Sequence, residues 1–349
     1  MLLKSLYLHH FRTFEERLFE FGPQANFIVG ENASGKTTVL EAVHFLMTGR
    51  SFRSSKSSEL IKFGTQGFFL EARFEKKGVL QKIRIATKGK ERKVIVNHTT
   101  HSAFSHVLGC LQGVVMTPDD ASLVKEAPVY RRDFLDQLIS QTDPLFVHHM
   151  TRFSRAMRQR NVLLRSKNSL SIEGFEHEMG KSALYIMGKR QEAISSLSQT
   201  SASLYRDFCE GDEELTLLYK PSLLDPENYI KLLSSMRKKE EIVGSTLFGP
   251  HKDDFQILIG GHDVRYFGSE GQQRSVVIAL KLGEWQRLKT LSEESPLMLL
   301  DDVSMSLDLK RQGKLFSMIE SLDQVFLTTT GLTTLPFSKK RTDILMTKA

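Results

Sequence analysis

Cysteine occurs only twice in the 349 residues, at Cys110 and Cys209, and tryptophan once, at Trp285. Two separated thiols exclude a disulfide framework and a thiolate metal site. They suit a reducing compartment, so a cytoplasmic protein is expected. No apolar run approaches the roughly 20 residues that a membrane-spanning helix needs. A signal-peptide layout is missing too, because Met1 to Phe11 reads as a strand. No internal repeat or low-complexity segment is evident, which gives no sign of a repeat architecture. Heptads fade after two or three turns, so no long coiled coil is expected. There is no excess of acids: 48 Lys and Arg face 41 Asp and Glu, a net charge of +7. That balance is compatible with a polyanionic partner without requiring one. Helix-turn-helix and zinc-finger spacings are lacking, so base-specific reading of DNA is not expected.

What is present begins with Gly30-Glu31-Asn32-Ala33-Ser34-Gly35-Lys36-Thr37, a complete G-x-x-x-x-G-K-[ST] loop. The apolar Phe27-Ile28-Val29 enters it as a buried strand. Thr37 to Met47 leaves it with Val39, Leu40, Val43 and Leu46 at helical spacing, and Gly49 stands at the expected stop. Strand, glycine loop and helix are the context that such a loop needs to cradle phosphates. Its glycines let successive N–H groups curl around a triphosphate, and the helix N-terminus adds partial positive charge. Lys36 is then placed for the β- and γ-phosphates, and the Thr37 hydroxyl for Mg2+.

A second signal is Leu297-Met298-Leu299-Leu300-Asp301-Asp302, a buried strand ending abruptly in two carboxylates. Acids at the end of a core strand are costly unless they serve a cation or a water. Beside a phosphate loop, Asp301 is expected to hold Mg2+ and Asp302 to orient or deprotonate the attacking water. Upstream stands Ser269-Glu270-Gly271-Gln272-Gln273-Arg274, leading into a helix with Val276, Val277, Ala279, Leu280, Leu282 and Trp285. Ser269 is placed to cap that helix, and Gly271 permits close backbone approach.

The chain is organised as an α/β domain split by an insertion. Strand patterns at Leu2 to Leu8, Arg17 to Phe21, Gly67 to Phe74, Leu80 to Ala86 and Lys93 to Val96 suggest antiparallel hairpins flanking the phosphate-loop strand. Residues 129 to 240 are polar and helical in pattern. Strand patterns return at Phe255 to Ile259, Pro296 to Leu300 and Gln324 to Leu327. The expected division is 1–118 with 245–349, its two halves forming a single sheet, and an inserted, mainly helical lobe at 119–244.

The order of phosphate loop, distant S-x-G-Q-Q and hydrophobic-Asp-Asp resembles the ABC-type ATPase head. Further stretches sharpen the likeness: Phe11-Arg12-Thr13-Phe14, Thr48-Gly49-Arg50-Ser51-Phe52-Arg53, Arg131-Arg132-Asp133-Phe134-Leu135-Asp136, Gly249-Pro250-His251-Lys252-Asp253-Asp254, Gly271-Gln272-Gln273-Arg274-Ser275 and Asp301-Asp302-Val303. In that order, and over nearly the whole chain, they resemble the RecF family of bacterial recombination mediators. The resemblance implies an ABC-type head with mixed sheet and antiparallel hairpins plus a helical lobe. It also implies ATP with Mg2+, an ATP-dependent homodimer, and duplex DNA binding. Slow, DNA-stimulated hydrolysis would reset the dimer. Partners would be RecR and RecO, helping to load RecA at gaps in DNA repair, replication and the SOS response. Within such a dimer Ser269, Gly271 and Gln272 would contact the nucleotide of the second subunit, and Arg12 and Thr38 would join the nucleotide-binding set. Departures from the family pattern are Ala33-Ser34 inside the loop, Met305-Ser306 after the carboxylates, and Thr328-Thr329-Thr330 where many ABC proteins carry a histidine. A hydroxyl is a poor general base at neutral pH, which favours slow turnover.

For DNA, Arg152, Arg155, Arg158 and Arg165 share a helical face, opposite Phe146, Met150, Phe153, Met157 and Leu164. A solvated face is the ordinary reading of such a run. Lys82, Arg84, Lys88, Lys90, Arg92 and Lys93 on a hairpin, and Arg50, Arg53 and Lys56, are alternative phosphate contacts. His9 with His10, and His148 with His149, read as structural or exposed, since adjacent histidines in a strand point to opposite faces and make a poor metal pair. His251 follows a Gly-Pro turn and is left without an assigned role. Two other classes use the same loop. A small-molecule phosphotransferase gives no reason for the Ser269 motif, and an ATP-binding scaffold without hydrolysis gives none for intact Asp301 and Asp302.

Overall fold

The computed structural model describes residues 1–89, 91–167, 171–209, 213–223, 225–303, 307–331, 337 and 340–347. The chain divides into two compact units, Met1–Asp120 with Ile278–Ala349, and Ala121–Val277.

The first unit opens with antiparallel strands β1 (Leu2–Phe11) and β2 (Phe14–Glu20), followed by β3 (Ala25–Gly30) and helix α1 (Lys36–Thr48). Strands β4 (Phe69–Lys76), β5 (Val79–Lys88), β6 (Glu91–Val96), β7 (Thr99–His101) and β8 (Gly113–Met116) follow. The hairpin strands form their own six-stranded antiparallel sheet, in the order β2-β1-β4-β5-β6-β7. Its alternation is plain in β4, where Leu70, Ala72 and Phe74 are buried and Glu71, Arg73 and Glu75 face outward.

The second unit carries α2 (Ser122–Lys125), α3 (Pro128–Ser140), α4 (Pro144–Ser166), the 37-residue α5 (Ile172–Phe208), β9 (Leu215–Lys220) and α6 (Tyr229–Val243). Next come β10 (Asp254–Ile259), β11 (His262–Asp263), α7 (Val264–Phe267) and the start of α8 (Glu270–Ser292). Asp143 caps α4 by accepting the Phe146 N–H, with Pro144 at the first helical position. The unit boundary falls inside α8. It differs from the expected return at 245 because β10 pairs with β9 along Asp254–Ile259 and not with the head strands. β9 itself lies inside the stretch read as helical, and its L-T-L-L-Y-K alternation is buried at Leu215, Leu217 and Tyr219.

The chain then returns to the first unit with β12 (Leu297–Leu300), α9 (Leu309–Glu320), β13 (Val325–Thr329) and β14 (Arg341–Met346). Strands from both sequence halves build one parallel sheet, β14-β3-β13-β12-β8. The expected antiparallel hairpins are present, in a sheet separate from the parallel one that carries the phosphate-loop strand. Helix α1 packs on strands of both, so it has almost no solvent face. Val39, Leu40, Val43, Phe45 and Leu46 are buried as expected, but so are Glu41 and His44. Burial of each large apolar side chain contributes about 1.5–3 kcal/mol. It also pushes the His44 imidazole down to about 4, keeping it neutral against the Arg50 carbonyl at 3.0 Å.

Candidate nucleotide site

The phosphate loop joins β3 to α1 as its spelling requires. Ala33 and Gly35 are left-handed, at φ 66° and 93°. A Cβ on Gly35 would come within 2.8 Å of the Phe14 ring, and one on Gly30 within 2.7 Å of the Met346 carbonyl and the Ser34 hydroxyl. Glycine is thus demanded by close approach as well as by turn geometry. Gly35 is the N-cap of α1 and supplies no side-chain cap, which leaves the first helical N–H groups for an anion. The buried Ser34 hydroxyl has no hydrogen-bond partner among the described residues, and Lys36 curls back onto the carbonyls of Gly30 (2.7 Å) and Glu31 (2.9 Å). A cation held by loop carbonyls, an orphaned hydroxyl and an uncapped helix start all fit a bound phosphate chain. Asn32 and Ala33 are exposed at the loop tip, and Thr38 is buried.

Asp301 meets this loop from the end of β12. Its N–H donates to the Met116 carbonyl (2.9 Å), and its Oδ1 accepts from Thr37 Oγ1 (3.0 Å) and Thr328 Oγ1 (2.9 Å). Burial pushes its carboxyl above the ordinary range. The Thr328 and Thr37 hydroxyls pull it back, Asp302 pushes it up, and Arg53 lowers it slightly. Thr37 and Asp301, joined by that 3.0 Å hydrogen bond, are the pair that would hold Mg2+. Asp302 is left-handed, at φ 49°, and its N–H donates to Thr328 Oγ1 at 2.9 Å. The same hydroxyl lies 3.4 Å from Asp302 Oδ1. Thr328 therefore stands between the two carboxylates, and a hydroxyl has a single proton to give one of them.

Arg12, at φ 54°, forks onto Glu41 of α1 (Nε–Oε2 2.9 Å, NH2–Oε1 2.5 Å) and also reaches the Glu59 carbonyl. Glu41 is fully buried and takes the Ser51 hydroxyl as well, with Arg53 at 3.7 Å. Arg12, Ser51 and Arg53 thus share Glu41, and it is Thr13 and Phe14 that lie against the loop at Gly35.

The Ser269 turn lies in the second unit. Gln272 N–H donates to Ser269 Oγ (3.2 Å) and Ser269 N–H to Gln272 Oε1 (2.8 Å), a reciprocal capping box at the start of α8. Gln272 also donates to Glu213 at 2.8 Å. Ser269 and Glu270 are exposed, and Gly271 is half-buried.

The arginine face of α4 is uneven. Arg152 is paired with Glu178, Arg158 bonds the Ser154 carbonyl, and Arg165 reaches the Gly244 carbonyl at 3.4 Å. Arg155 is exposed and has no acidic partner among the described residues. On the hairpin, Lys82 lies 3.5 Å from Glu71, Arg84 bonds the Asn97 carbonyl, and Arg92 bonds Ser57 over the Phe45 ring. Lys88 and Lys93 are exposed, as are Arg50, Arg53 and Lys56. Lys90, Met305 and Ser306 lie outside the described residues. His9 and His10 do not point apart as a regular strand would place them. His10 is left-handed at φ 52°, and the two rings lie tilted at 31° with centroids 3.8 Å apart.

Sequence reasoning missed two buried ionic clusters in the second unit. Arg160, with no exposed surface, lies among Glu176, Glu240 and Thr246. Arg190 binds both Asp136 oxygens at 2.9 Å, the Pro250 carbonyl at 2.6 Å and Asp253 at 3.1 Å. Tyr219 also donates to Asp253, and Arg131 forks onto Asp254. The Arg131-to-Asp136 and Gly249-to-Asp254 stretches are thereby tied to each other. His251 bonds the Thr246 carbonyl at 3.1 Å and packs on Phe153, and burial holds its ring neutral.

Against known proteins, a family model described as the RecF/RecN/SMC N-terminal domain matches residues 2–349. The chain is 47% identical over 338 residues to the DNA replication and repair protein RecF of Protochlamydia amoebophila, covering 95% of this chain and 94% of that one. It is 35% identical to RecF of Moorella thermoacetica, covering 96% and 91%. Among solved structures, the recombination mediator protein RecF–ATP of the RecFOR pathway superposes with a TM-score of 0.88 at 29% identity, covering 95% and 92%. A Smc head domain from Pyrococcus furiosus, at 15% identity and TM-score 0.59 over 99% and 94%, shares the fold.

Proposed function

Because the chain belongs to the RecF family within the RecF/RecN/SMC group, we propose that it is an ATP-switched, duplex-DNA-binding recombination mediator. The observation that carries this reading is the Thr37–Asp301 hydrogen bond at 3.0 Å beside the orphaned Ser34 hydroxyl. It joins a phosphate cradle to a metal-ready carboxylate.

In this reading the first unit is the ATPase head and the second the inserted lobe. Loop N–H groups from Gly30 to Thr38 hold the triphosphate, and Lys36 leaves its two carbonyls for the β- and γ-phosphates. Thr37 and Asp301 would hold Mg2+, which would supply charge neutralisation during phosphoryl transfer. Asp302 orients the attacking water. It is one methylene shorter than a glutamate and is flanked by Thr328 where a histidine is common, so turnover is slow. Ser269, Gly271 and Gln272 close over the nucleotide held by a second copy, and ATP thereby creates the dimer interface. Arg12 contributes by fixing Thr13 and Phe14 against the loop. The dimer binds duplex DNA through phosphate contacts, with Arg155 and Arg158 as the foremost candidates, and DNA stimulates the hydrolysis that releases it. RecR and RecO are the partners, in the cytoplasm, for loading RecA at gaps during repair, replication and the SOS response.

Lys36→Ala tests the core of the reading. Removing a charged donor to phosphate costs about 1.5–3 kcal/mol, so ATP affinity in calorimetry is expected to drop by roughly ten- to a hundredfold. ATP-dependent dimerisation should go with it. Undiminished binding would overturn the reading.

A further inference from the structure

Two large aromatic side chains stand in solvent just before the serine turn. Tyr266 is 71% exposed and Phe267 74%. Both sit on α7, which is short but firmly held. Asp263 accepts the Arg265 N–H at 2.9 Å, and Val264 is buried. The Gly268 N–H returns to the Val264 carbonyl at 3.1 Å, and the Gln273 amide donates to the carbonyls of Val264 and Gly268. Arg265 lies over the Tyr266 ring at 5.4 Å, and the His262 ring flanks Phe267 at 5.8 Å. Beside Tyr266 opens a cavity of about 160 Å³ whose walls include Val124, Phe255 and Ile257. The pair is thus a pre-arranged knob next to a partly apolar socket.

Adjacent exposed aromatics on a rigid turn mark a contact surface, and tyrosine with arginine dominates interface hot spots. We propose that Arg265, Tyr266 and Phe267 anchor the ATP-dependent interface by packing on a second copy of this chain. The inference rests on the ATP-bridged dimer proposed above and deepens it. Only Gly268 separates Phe267 from Ser269, so a surface that meets the Ser269 hydroxyl meets the aromatics too. Charge argues for protein over nucleic acid. Asp263 and Glu270 flank the knob in sequence, the first accepting the Arg265 N–H and the second paired with Arg274, and Glu213 bonds Gln272 in the first turn of α8. A polyanion would be repelled there. A two-fold dimer also uses each knob twice, which multiplies the effect of a single substitution.

The test is sedimentation velocity over a concentration series with Mg-ATP, comparing the wild-type chain with Tyr266→Ser/Phe267→Ser. Both side chains are exposed, so the variant should fold, and its monomer should bind ATP as the wild type does. About tenfold per knob predicts a dimer dissociation constant raised roughly a hundredfold. The conservative Tyr266→Phe should stay within a few-fold of wild type. A wild-type dimer matched by an equally tight double variant overturns the knob and leaves the dimer reading standing. The same holds if the double variant dimerises normally but loses duplex affinity. A wild-type chain that stays monomeric removes the dimer reading and the knob together.

Discussion

Thr37 and Asp301, 264 positions apart in the chain, meet through a 3.0 Å hydrogen bond. That contact exists because β12 and β3 belong to one parallel sheet, with β13 between them, so their C-terminal ends share an edge. Sites of open α/β sheets form at that edge. Thr328, at the end of β13, completes the contact by touching both carboxylates.

Thr328→Val should therefore lower ATPase turnover by about tenfold and raise the Mg2+ concentration needed for half-maximal rate. It leaves the Asp302 N–H unpaired, a loss of about 1–3 kcal/mol, and removes a donor that holds the Asp301 carboxyl down. Thr328→Ser should restore both. Steady-state phosphate release across a Mg2+ titration gives the readout, and an unshifted Mg2+ midpoint in the valine variant would reject the assignment.

Glu284 on α8 gives a pH prediction. Burial pushes its carboxyl from the usual 4.5 up to about 7, against the pull of Lys281 at 3.7 Å, while Lys281 also holds Asp120 at 3.0 Å. A carboxyl with a raised folded-state pKa binds its proton more tightly when folded. This group's contribution is therefore largest below pH 4.5 and is lost as pH rises through about 7. Urea unfolding between pH 5 and 8 should show wild-type stability falling relative to Glu284→Gln. Parallel curves for the two proteins would contradict it.

Arg190→Ala should destabilise the second unit by about 3–5 kcal/mol, because it takes the cation from the buried Asp253 and the half-buried Asp136. Equilibrium unfolding with a probe in that unit measures this, and a loss below about 1 kcal/mol would mean that the cluster is dispensable.

Arg155→Glu with Arg158→Glu should weaken duplex binding and flatten its salt dependence. Removing one phosphate-binding cation makes the slope of log K against log salt shallower by about 0.9. An unaltered slope would move the DNA surface to the hairpin cations.

How much of this was legible follows from locality. The phosphate loop was visible because its eight residues are consecutive and flanked by their own strand and helix. Asp301 was visible as an acid ending an apolar run. Thr328 stood out as one of three threonines, but its place between the carboxylates depends on strand order, which sequence does not state. Arg160 and Arg190 were invisible, since a cation in a polar helix reads as solvated until its acids arrive from other elements. β9 was missed because one short alternating strand was outweighed by the helical stretch around it, and the expected boundary at 245 went with it. Glu41 and His44 were assigned no role, because nothing local announces that α1 is covered on both sides.

The most direct test of the central claim is the mass of the particle in Mg-ATP for the wild-type chain and for Ser269→Arg. A wild-type dimer, with a variant that binds ATP yet stays monomeric, is the predicted result. A wild type that remains monomeric, or a variant that dimerises equally well, would contradict nucleotide shared between two copies.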